Sequence, residues 1–172
     1  PSSRENFLYY ALKKLEQANP EITAARLEME RDVGIVRIPS EHAFDIEVQV
    51  IPLNHLRLEG MDERLQLPGI EKLSASDALI INIDYPLGMA AYQVLTEIAR
   101  NIAAVRGVYI MGKAATLNGR IGDVMIPSVV HDEHTLNTYL FDNCFAADDV
   151  APYLVYGTVM DNQKAITVAG TF

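Results

Sequence analysis

Apolar positions change their period along the chain, and the period predicts the elements. Phe7, Leu8, Ala11, Leu12 and Leu15 recur at helical spacing, behind a Ser2–Glu5 capping box and ahead of a stop near Asn19-Pro20. Ile22 to Arg31 predicts a second helix, with Ala24, Ala25, Leu27 and Met29 set among charges, and Val33 to Ile38 predicts a strand. Phe44 to Val50 alternates strictly, as a half-exposed strand does, and Leu53 to Leu73 is charged and irregular.

Further on the pattern becomes that of an α/β protein. Asp77 to Asp84 reads as a buried strand, and Tyr85-Pro86-Leu87-Gly88-Met89 as the loop leaving its carboxyl end. Ala91, Val94, Leu95, Ile98, Ile102 and Val105 then mark one buried face of a helix over Ala90 to Val105, with Gly107 as its stop. Val108 to Met111 predicts the next strand, closed by Gly112. Asn118-Gly119 is a turn dipeptide, and Gly122-Asp123 opens a strand Val124 to Ile126 that Pro127 closes. Strand, loop, helix and strand within about thirty residues form a βαβ unit, so Leu79 to Ile83 and Val108 to Met111 are expected to be parallel neighbours. Ligands of such sheets sit beyond the carboxyl ends of the strands.

The order GMAAY, MGKAATLNGRIGDVMIP and, later, Tyr156-Gly157-Thr158-Val159-Met160-Asp161-Asn162 resembles the nucleoside phosphorylase superfamily over roughly residues 78 to 164, about half of the chain. The resemblance implies a three-layer α/β sandwich around a central mixed, largely parallel sheet. It also implies a nucleoside or nucleobase ligand, and cleavage of an N-glycosidic bond by phosphorolysis or hydrolysis, with phosphate as the one co-substrate in question and no other cofactor. Departures from the family pattern accompany the matches. Ile110 and Lys113 stand where the family commonly places a phosphate-binding Arg and a Ser or Thr. Ala165 falls where many members carry a base-stacking Phe, and Asp161 replaces a Ser. No Met-Glu pair, which in the family holds ribose hydroxyls, follows Asp161; Met29-Glu30 lies in the N-terminal helix. A non-catalytic ligand-binding or oligomerisation module that keeps the fold is therefore the alternative, since fold does not dictate activity.

Composition narrows the partners. A chain of 172 residues, 49% hydrophobic, can bury one core, and a single α/β domain is expected. Its start at Pro1 and its end at Phe172, soon after a predicted strand, lead to the expectation that this domain is incomplete at its C-terminus. Fourteen basic residues scattered among 23 acidic ones give a net charge of -9, which argues against nucleic acid as the partner. No apolar run reaches the length of a membrane helix, and the lone Cys144 excludes an internal disulfide and fits the cytoplasm. The Phe7 to Leu15 stripe and the aromatic Tyr139 to Tyr153 segment suggest a homo-oligomer.

Candidate ligand-binding residues follow from strand ends and loops. Gly88 and Met89 open a helix whose backbone N–H groups can meet an anion. Gly112 places Lys113 at a predicted strand end, where its ammonium can face a phosphate or ribose hydroxyl. Asp161, Asn162 and Lys164 follow the apolar Val159-Met160 and can hydrogen-bond a nucleoside. These segments are expected to line one pocket. No catalytic residue is assigned. His131-Asp132-Glu133-His134 has the donors for a metal but lacks a convincingly spaced third ligand, and residues i and i+3 of an extended segment point apart; no metal site is assigned.

Overall fold

The computed structural model describes residues 3–39, 46–84, 86 and 88–167. The chain divides into two compact units, Phe7–Tyr109 and a second comprising Ile110–Phe172 with Pro1–Asn6. It is a mixed α/β protein. The described residues form two three-stranded sheets, one antiparallel and one mixed, where a central, largely parallel sheet was expected.

Helix α1 (Ser3–Ala18) and helix α2 (Pro20–Asp32) meet at the predicted breaker. Asn19 is extended and caps α2 by accepting a bond from the Glu21 N–H at 3.2 Å, while Pro20 occupies the first turn, where its missing N–H costs nothing. Phe7, Leu8, Leu12 and Leu15 of the predicted stripe are all exposed. Ser2, of the predicted capping box, lies outside the described residues.

Strands β1 (Val36–Ile38), β2 (Val48–Pro52) and β3 (Leu79–Ile83) form the antiparallel sheet in the order β1-β2-β3, with an unbroken register. The rows Val36–Val50–Ile81, Ile38–Val48–Ile83 and Pro52–Leu79 share one face, and the row Arg37–Gln49–Asn82 lies on the other. The Arg37 guanidinium bonds both Glu30 at the end of α2, at 2.8 Å from Nε, and Glu47; Gln49 extends the chain to Asn82 at 2.9 Å. Arg37 holds the Glu30 carboxyl below its ordinary pKa by hydrogen bonding, against the opposing effect of burial. The residues between β2 and β3 are wound into short 3-10 turns, as their irregular pattern suggested.

The expected βαβ unit is corrected. β3 pairs antiparallel with β2, and Val108 to Met111 forms no strand; Ile110 and Met111 are 87% and 92% exposed. Apolar, β-prone residues become a strand only when a ladder partner reaches them. Helix α3 (Met89–Asn101) forms where expected but stops short of Val105, because Ile102 is already extended; Gly107 is not its terminator.

Strands β4 (Val124–Asp132), β5 (Asn137–Leu140) and β6 (Val159–Thr167) make the mixed sheet, in the order β5-β4-β6. β4 and β5 are an antiparallel hairpin, whereas β4 and β6 run parallel. The expectation that Pro127 closes its strand is also corrected, since β4 continues through it to Asp132. The central position is tolerated because the β4–β6 register shifts on either side of Pro127, and Asn162 takes a positive φ of 55° on the facing strand. Such bulges accommodate a residue without an N–H to donate. Next to Pro127 sits Ile126, at 4% exposure the one buried side chain among the described residues. A four-residue helix, α4 (Ala147–Val150), precedes β6.

Candidate functional site

The parallel pairing of β4 with β6 places Val124 opposite Val159 and Met125 opposite Met160. The turns entering the two strands therefore emerge side by side. Both turns need glycine: Gly122 and Gly157 have φ of 100° and 90°, values that side chains rarely adopt. A Cβ on Gly157 would also run into the Gly122 carbonyl, and one on Gly122 into the Tyr156 ring.

Asp123 ties the turns together. Its carboxylate accepts hydrogen bonds from the Arg120 N–H at 2.7 Å, the Thr158 N–H at 2.9 Å and the Thr158 hydroxyl at 3.2 Å. The Val124 N–H donates in turn to the Thr158 carbonyl at 2.9 Å. The two backbone N–H donors, Arg120 first, hold the Asp123 carboxyl below the ordinary aspartate pKa, so it is ionised at neutral pH. Around this clamp lies an open recess of about 520 Å³ lined by Asn118, Arg120, Ile121, Asp123, Tyr156 and Thr158, among others. Thr116 shapes its rim by accepting bonds from the N–H groups of Asn118 and Gly119 at 3.2 and 3.0 Å.

The residues lining the recess carry a flat ring, a guanidinium, an amide and a carboxylate beside the apolar Ile121 and Met160. That combination suits a small planar ligand with polar edges. It lies at the amino ends of β4 and β6, whereas a site beyond strand carboxyl ends was expected.

The residues singled out from the sequence are distributed differently. Gly88 precedes α3 with φ 52°, Met89 is the exposed first residue of that helix, and both belong to the unit Phe7–Tyr109. Gly112 and Lys113 lie in the other unit, exposed and outside any helix or strand, so Lys113 does not stand at a strand end. Asp161, Asn162 and Lys164 are within β6 and not in a loop after it. Asp161 is occupied structurally, accepting the Ala147 N–H of α4 at 2.9 Å; Asn162 carries the bulge; Lys164 pairs with Val129. Tyr156, Arg120 and Asn118 were not singled out, although Tyr156 abuts Gly157 and the other two flank Gly119. Their signal was adjacency to the turn glycines.

At the opposite end of β4, Asp132 closes the hairpin turn. It accepts the Thr135 hydroxyl at 2.7 Å, the Thr167 hydroxyl at 2.8 Å and the His134 N–H at 3.2 Å, which brings its pKa down to about 2. His131 Nδ1 is 3.0 Å from the Thr138 hydroxyl. The four-residue His-Asp-Glu-His run is thus turn chemistry. Among the described residues no group of three or more His, Cys, Asp or Glu side chains is placed to hold a metal, and no helix is long and apolar enough to cross a membrane.

Fold and recess together define a mixed α/β protein with a polar-edged surface recess on its parallel strand pair. The chain belongs to the family of unknown function DUF6909, whose match spans residues 1–172. Searches of curated proteins and of solved structures returned no match.

Proposed function

We propose that this chain is a divergent nucleoside phosphorylase-like protein that binds a nucleoside or nucleobase-like ligand in the recess between Asn118, Arg120, Asp123 and Tyr156. The observation that carries the reading is the parallel pairing of β4 with β6, which sets Gly122-Asp123 beside Gly157-Thr158. Two segments of the superfamily resemblance, about 35 residues apart in the chain, meet at one recess. The exposed Tyr156 ring offers a stacking face for a base, the Asn118 amide and Arg120 guanidinium offer donors to its carbonyl groups, and the Asp123 carboxylate an acceptor for ring N–H or ribose hydroxyl groups. Binding, rather than phosphorolysis, is the proposed activity of this chain. Ile110 in place of a phosphate-binding Arg offers phosphate no side-chain donor, and Lys113 in place of a Ser or Thr is by itself a weaker anion site than the family pattern.

Calorimetry with inosine, adenosine and adenine, each with and without inorganic phosphate, tests the proposal. A dissociation constant of about 1 mM or tighter for at least one of them, weakened about tenfold or more by Tyr156→Ala, is the expected result. Equal affinity for the variant, or no binding of any of the three at millimolar concentration, would remove the site. Chromatographic detection of free base released from inosine would replace the binding role by an enzymatic one. Lys113→Ala is expected to weaken binding only in the presence of phosphate.

A further inference from the structure

Asn118 is the one asparagine of the chain that precedes a glycine. A glycine nitrogen has no side chain beside it to shield it, so it can attack the side-chain amide carbon of the residue before it. The fold adds what the dipeptide alone does not supply. The Thr116 hydroxyl accepts the Gly119 N–H at 3.0 Å and the Asn118 N–H at 3.2 Å, and it donates to Asn118 Oδ1 at 3.0 Å, so its single proton and both lone pairs are in use. One oxygen therefore touches both the attacking nitrogen and the carbonyl under attack. Asn118 is exposed, open to the water such chemistry needs, and its Nδ2 donates to Gln163 Oε1 at a long 3.4 Å.

We propose that Asn118 is a self-modification site, which deamidates through a cyclic imide with Gly119 under assistance from Thr116. The Gly119 nitrogen forms a bond to Asn118 Cγ. Its proton passes to Thr116 Oγ1 while the hydroxyl proton passes to Asn118 Oδ1, where charge develops in the attack. The tetrahedral centre then re-forms its carbonyl and breaks the Cγ–Nδ2 bond, and the proton from Oδ1 leaves with Nδ2 as ammonia. Water opens the imide at either carbonyl, giving an aspartyl or an isoaspartyl group at position 118. Either product adds one negative charge to a chain of net charge -9 and brings a second carboxylate into the recess that already holds the ionised Asp123. If the recess takes a nucleoside, the reading on which this consequence alone rests, an amide donor to the ligand is exchanged for an acceptor as the protein ages.

Incubation of the full chain at neutral pH and body temperature, followed by tryptic digestion and fragmentation that separates aspartyl from isoaspartyl, reads the reaction, with circular dichroism on the same samples. Position 118 is expected to convert about tenfold faster or more than the exposed Asn137, which precedes a threonine, and to give both products. Thr116→Val removes the hydroxyl at nearly constant volume and is expected to slow the conversion about tenfold, whereas Thr116→Ser keeps it within about twofold of wild type. A wild type in which position 118 keeps its amide as long as Asn137 does would overturn the proposal, whatever the variants do. So would the aspartyl product alone, which marks direct hydrolysis, or a Thr116→Val chain of wild-type dichroism that converts as fast as wild type or faster. For the consequence, Asn118→Asp is expected to weaken inosine binding about tenfold or more. Equal affinity would remove that consequence, while a wild type that binds no nucleoside would overturn the ligand and not the deamidation.

Discussion

The two three-stranded sheets are stabilised in opposite ways. The antiparallel sheet keeps an uninterrupted register and gathers its polar side chains onto one face, where Arg37 links Glu30 and Glu47. The mixed sheet has a broken register, a proline in its central strand, and carboxylates at its two ends: Asp123 where β4 begins and Asp132 where it ends. Alternation along short strands is enough to hold the first in register. The second pairs β4 with β6 in parallel through a register that shifts twice, and it needs fixed points. Glycine turns and aspartate clamps supply them, and those same polar, conformationally constrained ends form the recess.

The contrast breaks most readily at Ile126. Ile126→Ala is expected to lower stability by about 3 kcal/mol, because it empties the one buried apolar position among the described residues. A urea midpoint shift worth less than about 1 kcal/mol would show that the mixed sheet is held by its clamps alone. Gly157→Ala comes next. It puts a side chain into a left-handed conformation against the Gly122 carbonyl, for a loss of about 2 kcal/mol together with weakened ligand binding at the recess. A variant that binds and unfolds like wild type would mean the two turns are not pressed together.

Arg37→Met sharpens the other side of the comparison. It leaves Glu47 without Arg37 and Glu30 with only Arg26, 3.6 Å away, at a partly solvated site, and about 1–2 kcal/mol is expected, below the loss for a fully buried pair because water screens the charges. The variant also changes the pH profile. Glu30 has its pKa lowered in the folded protein, so its contribution is present above the ordinary glutamate value of 4.5 and is lost as pH falls through the lowered one. Arg37→Met should flatten that part of the stability curve, and an unchanged acid limb would disconnect the ion network from folding.

Asp132 gives the smallest effect. With a folded pKa near 2 against 3.8 in the unfolded chain, its contribution is full above about pH 4 and disappears towards pH 2. Following the carboxyl resonance by NMR through this range, with Asp132→Asn as reference, is expected to show titration near the lower value. A midpoint at 3.8 would release Asp132 from its role in the turn.

The N-terminal helices, the break at Asn19-Pro20, α3 and the turn leading into β4 were legible in the sequence, because each depends on residues within a few positions of one another. Gly122-Asp123 stood out as the opening of a strand for the same reason, whereas Gly157 entered only as part of the superfamily resemblance. Periodicity could not reveal which strands pair. Leu79 to Ile83 and Val108 to Met111 look equally strand-like, yet only the first finds a ladder, through the alternating β2, and it does so antiparallel. Asp161, Asn162 and Lys164 look like an exposed strand end, yet the bulge opposite Pro127 carries β6 through them and turns Asp161 towards α4. Local sequence fixes backbone preference and side-chain chemistry. Pairing depends on contacts between residues tens of positions apart, and only the tertiary structure decided that Tyr156, Arg120 and Asp123 would share a recess.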